Sequence, residues 1–112
     1  QFSDHWRNVH GPLLRDTRAS ALRIRRYVQH HLTPNPDHPD AALPYDGFSE
    51  VWFGSVEDRK AMHGDPEYQA LMPADEAKFL DLTATRMHMV DTPVVQIGEQ
   101  IRIDGEIVRF IG

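Results

Sequence analysis

An α+β domain, with helices gathered on one face of an antiparallel sheet, is what the sequence predicts. Three observations carry that expectation. Helical periodicity runs through residues 3–16 and again from 55 to 79, and strand alternation marks 22–32 and 48–53. Asp104-Gly105 also stands between alternating arms as a two-residue hairpin signal.

The opening helix is expected to start at Ser3, whose hydroxyl can accept from a first-turn amide, with Asp4 suiting the positive helix end. Trp6, Val9, His10 and Leu13 recur at three- and four-residue spacing and share one face, while Asp4, Arg7 and Asn8 lie mainly on the other. His10 is thus carried on the face that Trp6 buries. Pro12 removes one backbone donor, so the helix should bend or restart just after His10 and leave carbonyls there without a helical partner.

Residues 22–32 alternate as a strand, with Ile24, Val28 and His30 on one side and Tyr27, Gln29 and His31 on the other; Arg26 falls on the Ile24 side and spoils the pattern. Residues 33–47 carry four Pro and read as a long loop of the kind that forms lids. Phe48–Phe53 is the clearest strand, with Phe48, Glu50 and Trp52 facing one way and Ser49, Val51 and Phe53 the other. Ser55 caps a short helix that Gly64 ends. Pro66 suits the first turn of the next, whose periodic face is Tyr68, Leu71, Met72, Asp75 and Phe79. Residues 84–97 read as a further strand interrupted at Pro93, and the C-terminal hairpin follows.

At 112 residues the chain is one domain, residues 1–112, with 40% apolar and 26% charged residues and a core worth burying. No apolar run approaches the roughly 18 to 20 residues needed to cross a bilayer, so a cytoplasmic protein with no membrane partner is expected. The absence of Cys excludes disulfides, thiolate nucleophiles and Cys-ligated metals. Net charge is −5, and the only dense basic stretch is Arg15, Arg18, Arg23, Arg25 and Arg26, too short a face for nucleic acid.

The run Phe2-Ser-Asp-His-Trp6-Arg-Asn-Val-His10-Gly-Pro-Leu13 resembles the opening helix of EthD domains: an aromatic, a Trp, and a His followed by Gly-Pro-Leu. Tyr27-Val-Gln, then Asp46-Gly-Phe-Ser-Glu50-Val-Trp52-Phe53, then Asp75-Glu76 with Phe79 fall in the same family order, so the resemblance spans nearly the whole chain. It implies a ferredoxin-like protomer of the dimeric α/β-barrel superfamily, with two sheets packed face to face in a homodimer and a pocket between each sheet and its helices. It also implies a central strand ahead of the opening helix. Gln1 already stands at the turn into that helix, so the domain reads as N-terminally truncated by about one strand, with the terminal hairpin as the alternative occupant of the slot.

Seven His require individual readings. His10 is the candidate general acid/base, since His titrates near neutral pH; the alternative is a core His bonded to a carbonyl freed by Pro12. Glu50, between Phe48 and Trp52 on a face expected to be buried, is the candidate partner of His10, or else a carboxylate turned to solvent. The resemblance gives Tyr27 the role of bonding a substrate oxygen, with plain packing as the alternative. Trp6, Phe48, Trp52 and Phe79, together with His88, would line an apolar pocket for a hydrophobic or aromatic small molecule. His5 and His10 lie about 140° apart on an α-helix, so no metal site is expected.

The expected function is cofactor-independent proton transfer on an aromatic or polyketide-like carbonyl substrate: cyclisation, dehydration, isomerisation or decarboxylation. The alternatives are a cofactor-free oxidoreductase or an ether-degradation-associated EthD protein, a non-catalytic dimer that binds a hydrophobic ligand, and haem binding through His88.

Overall fold

The computed structural model describes residues 2–40, 44–90 and 94–99, and the backbone of 106–111. Helix α1 (Phe2–His5), one π-helical turn (Trp6–His10) and α2 (Gly11–Asp16) run on as one helical stretch, and α3 (Arg18–Ala21) follows after Thr17. Strand β1 (Ile24–His31) leads through the loop to β2 (Gly47–Phe53), then to α4 (Val56–Gly64) and α5 (Pro66–Glu76). Strands β3 (Arg86–Val90) and β4 (Glu106–Ile111) complete a sheet of order β1-β2-β4-β3 with every pairing antiparallel. The α+β expectation holds, and no helix among the described residues is long and apolar enough to cross a membrane.

Local sequence explains the helix ends. Ser55 Oγ accepts from the Asp58 amide at 3.0 Å, and Asp65 accepts from the Glu67 amide at 2.9 Å with Pro66 in the first turn of α5. Ser3 differs from expectation: the helix already begins at Phe2, and the Ser3 hydroxyl instead hydrogen-bonds His31 Nδ1. Pro12 does not break the helix. It has no N–H to give the Asn8 carbonyl, and the ladder widens by one residue ahead of it, so that the Gly11 N–H donates to the Trp6 carbonyl five residues back. The Trp6 carbonyl also receives the Gln29 side-chain amide at 2.8 Å.

The register explains why β1 looked irregular. Between Ile24 and Arg26 the pairing with β2 slips at a bulge. Ile24 therefore joins Tyr27 on the helix-covered side, whereas unbroken alternation had put it with Val28 and His30. Ladder partners share a face. Tyr27 with Val51, Gln29 with Ser49, and Ile24 with Phe53 thus face the helices; Arg26 with Trp52, Val28 with Glu50, and His30 with Phe48 face away.

Of the strand expected over 84–97, Arg86–Val90 forms β3 and residues 94–97 are in no strand; residues 91–93, with Pro93, and the Asp104-Gly105 turn lie outside the described residues. Strand β4 sits centrally, between β2 and β3. That is the position the family resemblance gives to a strand preceding the opening helix.

Trp6 (1% exposed) and Met72 (0%) anchor the core between helices and sheet. Where the loop enters β2, Gly47 lets Trp6 lie directly on the backbone: a Cβ there would fall 2.6 Å from the His30 carbonyl oxygen and 2.7 Å from the Trp6 ring. Neither neighbour can yield, because one is ladder backbone and the other a fully buried indole. Gly47→Ala should lower folding stability by about 3 kcal/mol, at the top of the overpacking range. Gly64→Ala, with nothing within 4 Å of the added carbon, should be neutral or stabilising by roughly 0.5–1 kcal/mol. Urea denaturation of the two variants checks both values.

Candidate active site

Between the sheet and the helices lies a cavity lined by Trp6 and His10 from the π turn, Tyr27 from β1, Ser49 and Val51 from β2, and Phe79 just beyond α5. His63, Tyr68 and Glu76 contribute polar groups, and Met87 of β3, half exposed, lies along its wall. The enclosed volume is ≈ 50 Å³, room for a few water molecules.

Asp75 organises the chemistry of this wall. It faces inward from the last turn of α5, buried, because it shares the periodic face of Met72. An unpaired carboxylate there would carry a large desolvation cost. The structure pairs it twice: Oδ2 with His10 Nδ1 at 2.8 Å, and Oδ1 with His5 Nε2 at 2.9 Å. Burial pushes the Asp75 carboxyl up, but the hydrogen bonds from His5 and His10 and their charge outweigh it and hold the group below the ordinary value of 3.8.

A carboxylate at Nδ1 fixes the imidazole of His10 as a proton donor on that side. The neutral ring then carries its basic lone pair on Nε2. Phe79 packs against both imidazoles, with ring centroids 4.8 Å from His5 and 5.1 Å from His10, so the rings are held by apolar contact as well as by the carboxylate. This is the relation of base to orienting acid that general base catalysis requires.

Tyr27 occupies the same cavity. Its hydroxyl oxygen accepts from Trp6 Nε1 at 3.0 Å and from Gln29 Nε2 at 3.2 Å. The Gln29 amide has a single consistent orientation, since its nitrogen faces the Trp6 carbonyl and its oxygen takes the His31 Nε2 proton at 2.8 Å.

The structure brings His10, Tyr27, Trp6 and Phe79 together, as the sequence led one to expect. Glu50, Phe48, Trp52 and His88 are a correction. They lie on the opposite face of the sheet, which their ladder positions dictate: His88 pairs with Val108, and Val108 with Glu50. Glu50 bonds His30 Nε2 at 2.8 Å instead of His10, His30 stacks on Phe48 at 4.2 Å, and Trp52 lies under the Arg26 guanidinium. Of the two faces of β2, the one carrying Phe48, Glu50 and Trp52 is turned away from the cavity.

His5 and Asp75 went unassigned in the sequence. The 140° separation of His5 and His10 assumed α-helical geometry, and the π turn between them overturns it by bringing both rings to one carboxylate. The available signal for Asp75 was an acid on an apolar helix face, which must find a cationic or donating partner. Among the described residues no group of three His, Cys, Asp or Glu is arranged to hold a metal ion.

The EthD domain model matches residues 1–83, a span that contains His5, His10, Tyr27, Asp75 and Phe79. The chain belongs to the EthD domain family. This EthD domain is also similar to a decarboxylase, claH, of Passalora fulva, with 28% identity over 120 residues that cover 96% of this chain and 71% of that protein. No solved structure matches it.

Replacement of Asp75 by Asn should cost roughly 1–3 kcal/mol at neutral pH, the worth of hydrogen bonds to a buried charged group. Folding lowers the Asp75 pKa, so its stabilisation is fully present above the ordinary value of 3.8 and is lost as pH falls through the lower folded value. Urea unfolding between pH 2 and 7 should therefore show a steeper acid loss in the wild type than in Asp75→Asn.

Proposed function

We propose that this EthD domain is a cofactor-independent acid/base enzyme that decarboxylates an aromatic or polyketide-like acid whose carboxylate lies β to a carbonyl. The observation that carries this reading is the buried His10–Asp75 pair in the wall of an aromatic-lined cavity that also holds Tyr27. Similarity to a decarboxylase supports decarboxylation among the proton-transfer reactions that such a pair can serve.

The steps follow from the residues. The Tyr27 hydroxyl donates to the substrate carbonyl oxygen. The bond from the α-carbon to the carboxylate breaks, CO₂ leaves, and the electron pair moves to that carbonyl as an enolate, whose charge the Tyr27 proton stabilises. The His10 ring, when it carries a proton on Nε2 as well as on Nδ1, gives the Nε2 proton to the α-carbon and regains one from water. The apolar walls favour the forward direction, because a carboxylate is poorly solvated there and neutral CO₂ is not penalised.

A ring-sized substrate exceeds the enclosed volume, so entry requires movement at the wall. Met87, half exposed on strand β3, is the wall residue best suited to that movement, since its unbranched side chain reorients at little cost. A homodimer in which the far faces of two sheets meet also belongs to this reading. Phe48 and Val28 stand on that face only half buried, although Trp52 on the same face is buried. Val28→Arg should convert a dimer to a monomer in analytical ultracentrifugation; a wild-type chain that sediments as a monomer sinks this part.

His10→Ala should reduce turnover of a β-keto aromatic acid by about 10²- to 10⁴-fold while substrate binding weakens only modestly. Tyr27→Phe should lower kcat more than it raises KM, because its hydrogen bond strengthens as the enolate forms. CO₂ release followed with purified variants is the measurement. Unchanged turnover in His10→Ala would leave a ligand-binding role for the cavity.

A further inference from the structure

The dense basic stretch of the sequence has no part in the His10 chemistry, yet the fold gives much of it a common destination. Along the outer side of β1, at the edge of the sheet, runs a groove of ≈ 510 Å³. Arg7 from the π turn, Arg15 from α2, and Arg25 and Arg26 from β1 line it. Neighbouring residues of an unbroken strand point to opposite faces. The bulge between Ile24 and Arg26 relaxes that rule, so that Arg25 and Arg26 both line the groove, although the Arg26 guanidinium is stacked 4.9 Å over the Trp52 ring.

The charge there is largely uncompensated, in a chain whose net charge is −5. Arg15 shares Asp16 in an exposed pair. Arg7, Arg25 and Arg26 are in no ion pair among the described residues, although Asp58 comes near Arg25 around Gly54. The field reaches a neighbour: burial first, and then the charge of Arg7, hold His31 below the usual imidazole range. The groove is not purely polar. Leu14, Ile24 and Tyr27 line it and also line the His10 cavity, so one wall separates the two hollows.

We propose that this groove is a second binding site, which takes the carboxylate or phosphate oxyanion of a small organic molecule whose apolar part lies on Leu14, Ile24 and Tyr27. Planar guanidinium groups match both oxyanions through paired N–H donors, and the groove volume suits a small molecule. The site stands independently of the decarboxylation reading, because none of its arginines touches the His10–Asp75 pair in that scheme.

The test is titration of the full chain with 2-naphthoate, the uncharged 2-naphthamide and inorganic phosphate, followed by NMR of the arginine Nε–H groups. Naphthoate and phosphate should shift the Arg7 and Arg25 signals, naphthamide should not, and naphthoate affinity should fall as salt is added. Arg7→Gln and Arg25→Gln should each weaken naphthoate by about 10- to 100-fold, the worth of one charge-assisted hydrogen bond. His10→Ala should leave it unchanged. Tighter binding of phosphate than of naphthoate identifies a phosphate ester, and the reverse a carboxylic acid; both uphold the oxyanion site. Equal binding of naphthamide, arginine signals that do not move, or naphthoate lost in His10→Ala would overturn the proposal, the last by placing the ligand in the cavity.

Discussion

A carboxylate removed from water has to be paid for by its neighbours, and in this domain Asp75 sets the terms for everything around it. Its two oxygens hold two imidazoles from a helix distant in sequence. That requirement clamps the end of α5 to the opening helix and packs Phe79 between the two rings. Two donors on the carboxylate are also why the acid remains ionised at a depth where burial alone would favour the neutral form.

The same constraint accounts for the irregular helix. A straight α-helix would set His5 and His10 well apart, and Pro12 would leave a carbonyl stranded. One wide turn resolves the first difficulty, and the amide of Gln29 reaches across from β1 to the Trp6 carbonyl inside it. Gly11 makes that approach possible, since a Cβ there would sit 2.9 Å from the Gln29 nitrogen. The chain Ser3, His31, Gln29, Tyr27 and Trp6 is therefore one connected polar layer under the helix, and it orients the tyrosine that faces the cavity.

How much of this could be read beforehand follows from which physical signal each feature leaves. The cap at Ser55, Pro66 in the first turn of α5, and the alternation of 48–53 are local and were legible. So was His10, because the stripe containing Trp6 had to face the sheet. The face of β2 was not. Both of its sides carry large apolar groups, and only pairing with β1 and β4 decides which side the helices cover. Glu50 and Asp75 posed the same puzzle of an acid among aromatics, and sequence spacing alone could not tell which of them shared a wall with His10. The bulge at Arg25 and the π turn each insert one residue into a regular period, and a pattern argument registers either one as noise.

Strand β4 supplies a consequence of another kind. It lies between β2 and β3, yet follows both in the chain. During synthesis the β1–β2 hairpin and the helices emerge first, while β3 waits without a ladder partner until residues 106–111 arrive. The middle of the sheet is thus closed last, by contacts distant in sequence, and such closure is slow. A nascent chain halted before that point would present the β2 edge to the solvent, ready to pair with any extended segment it meets.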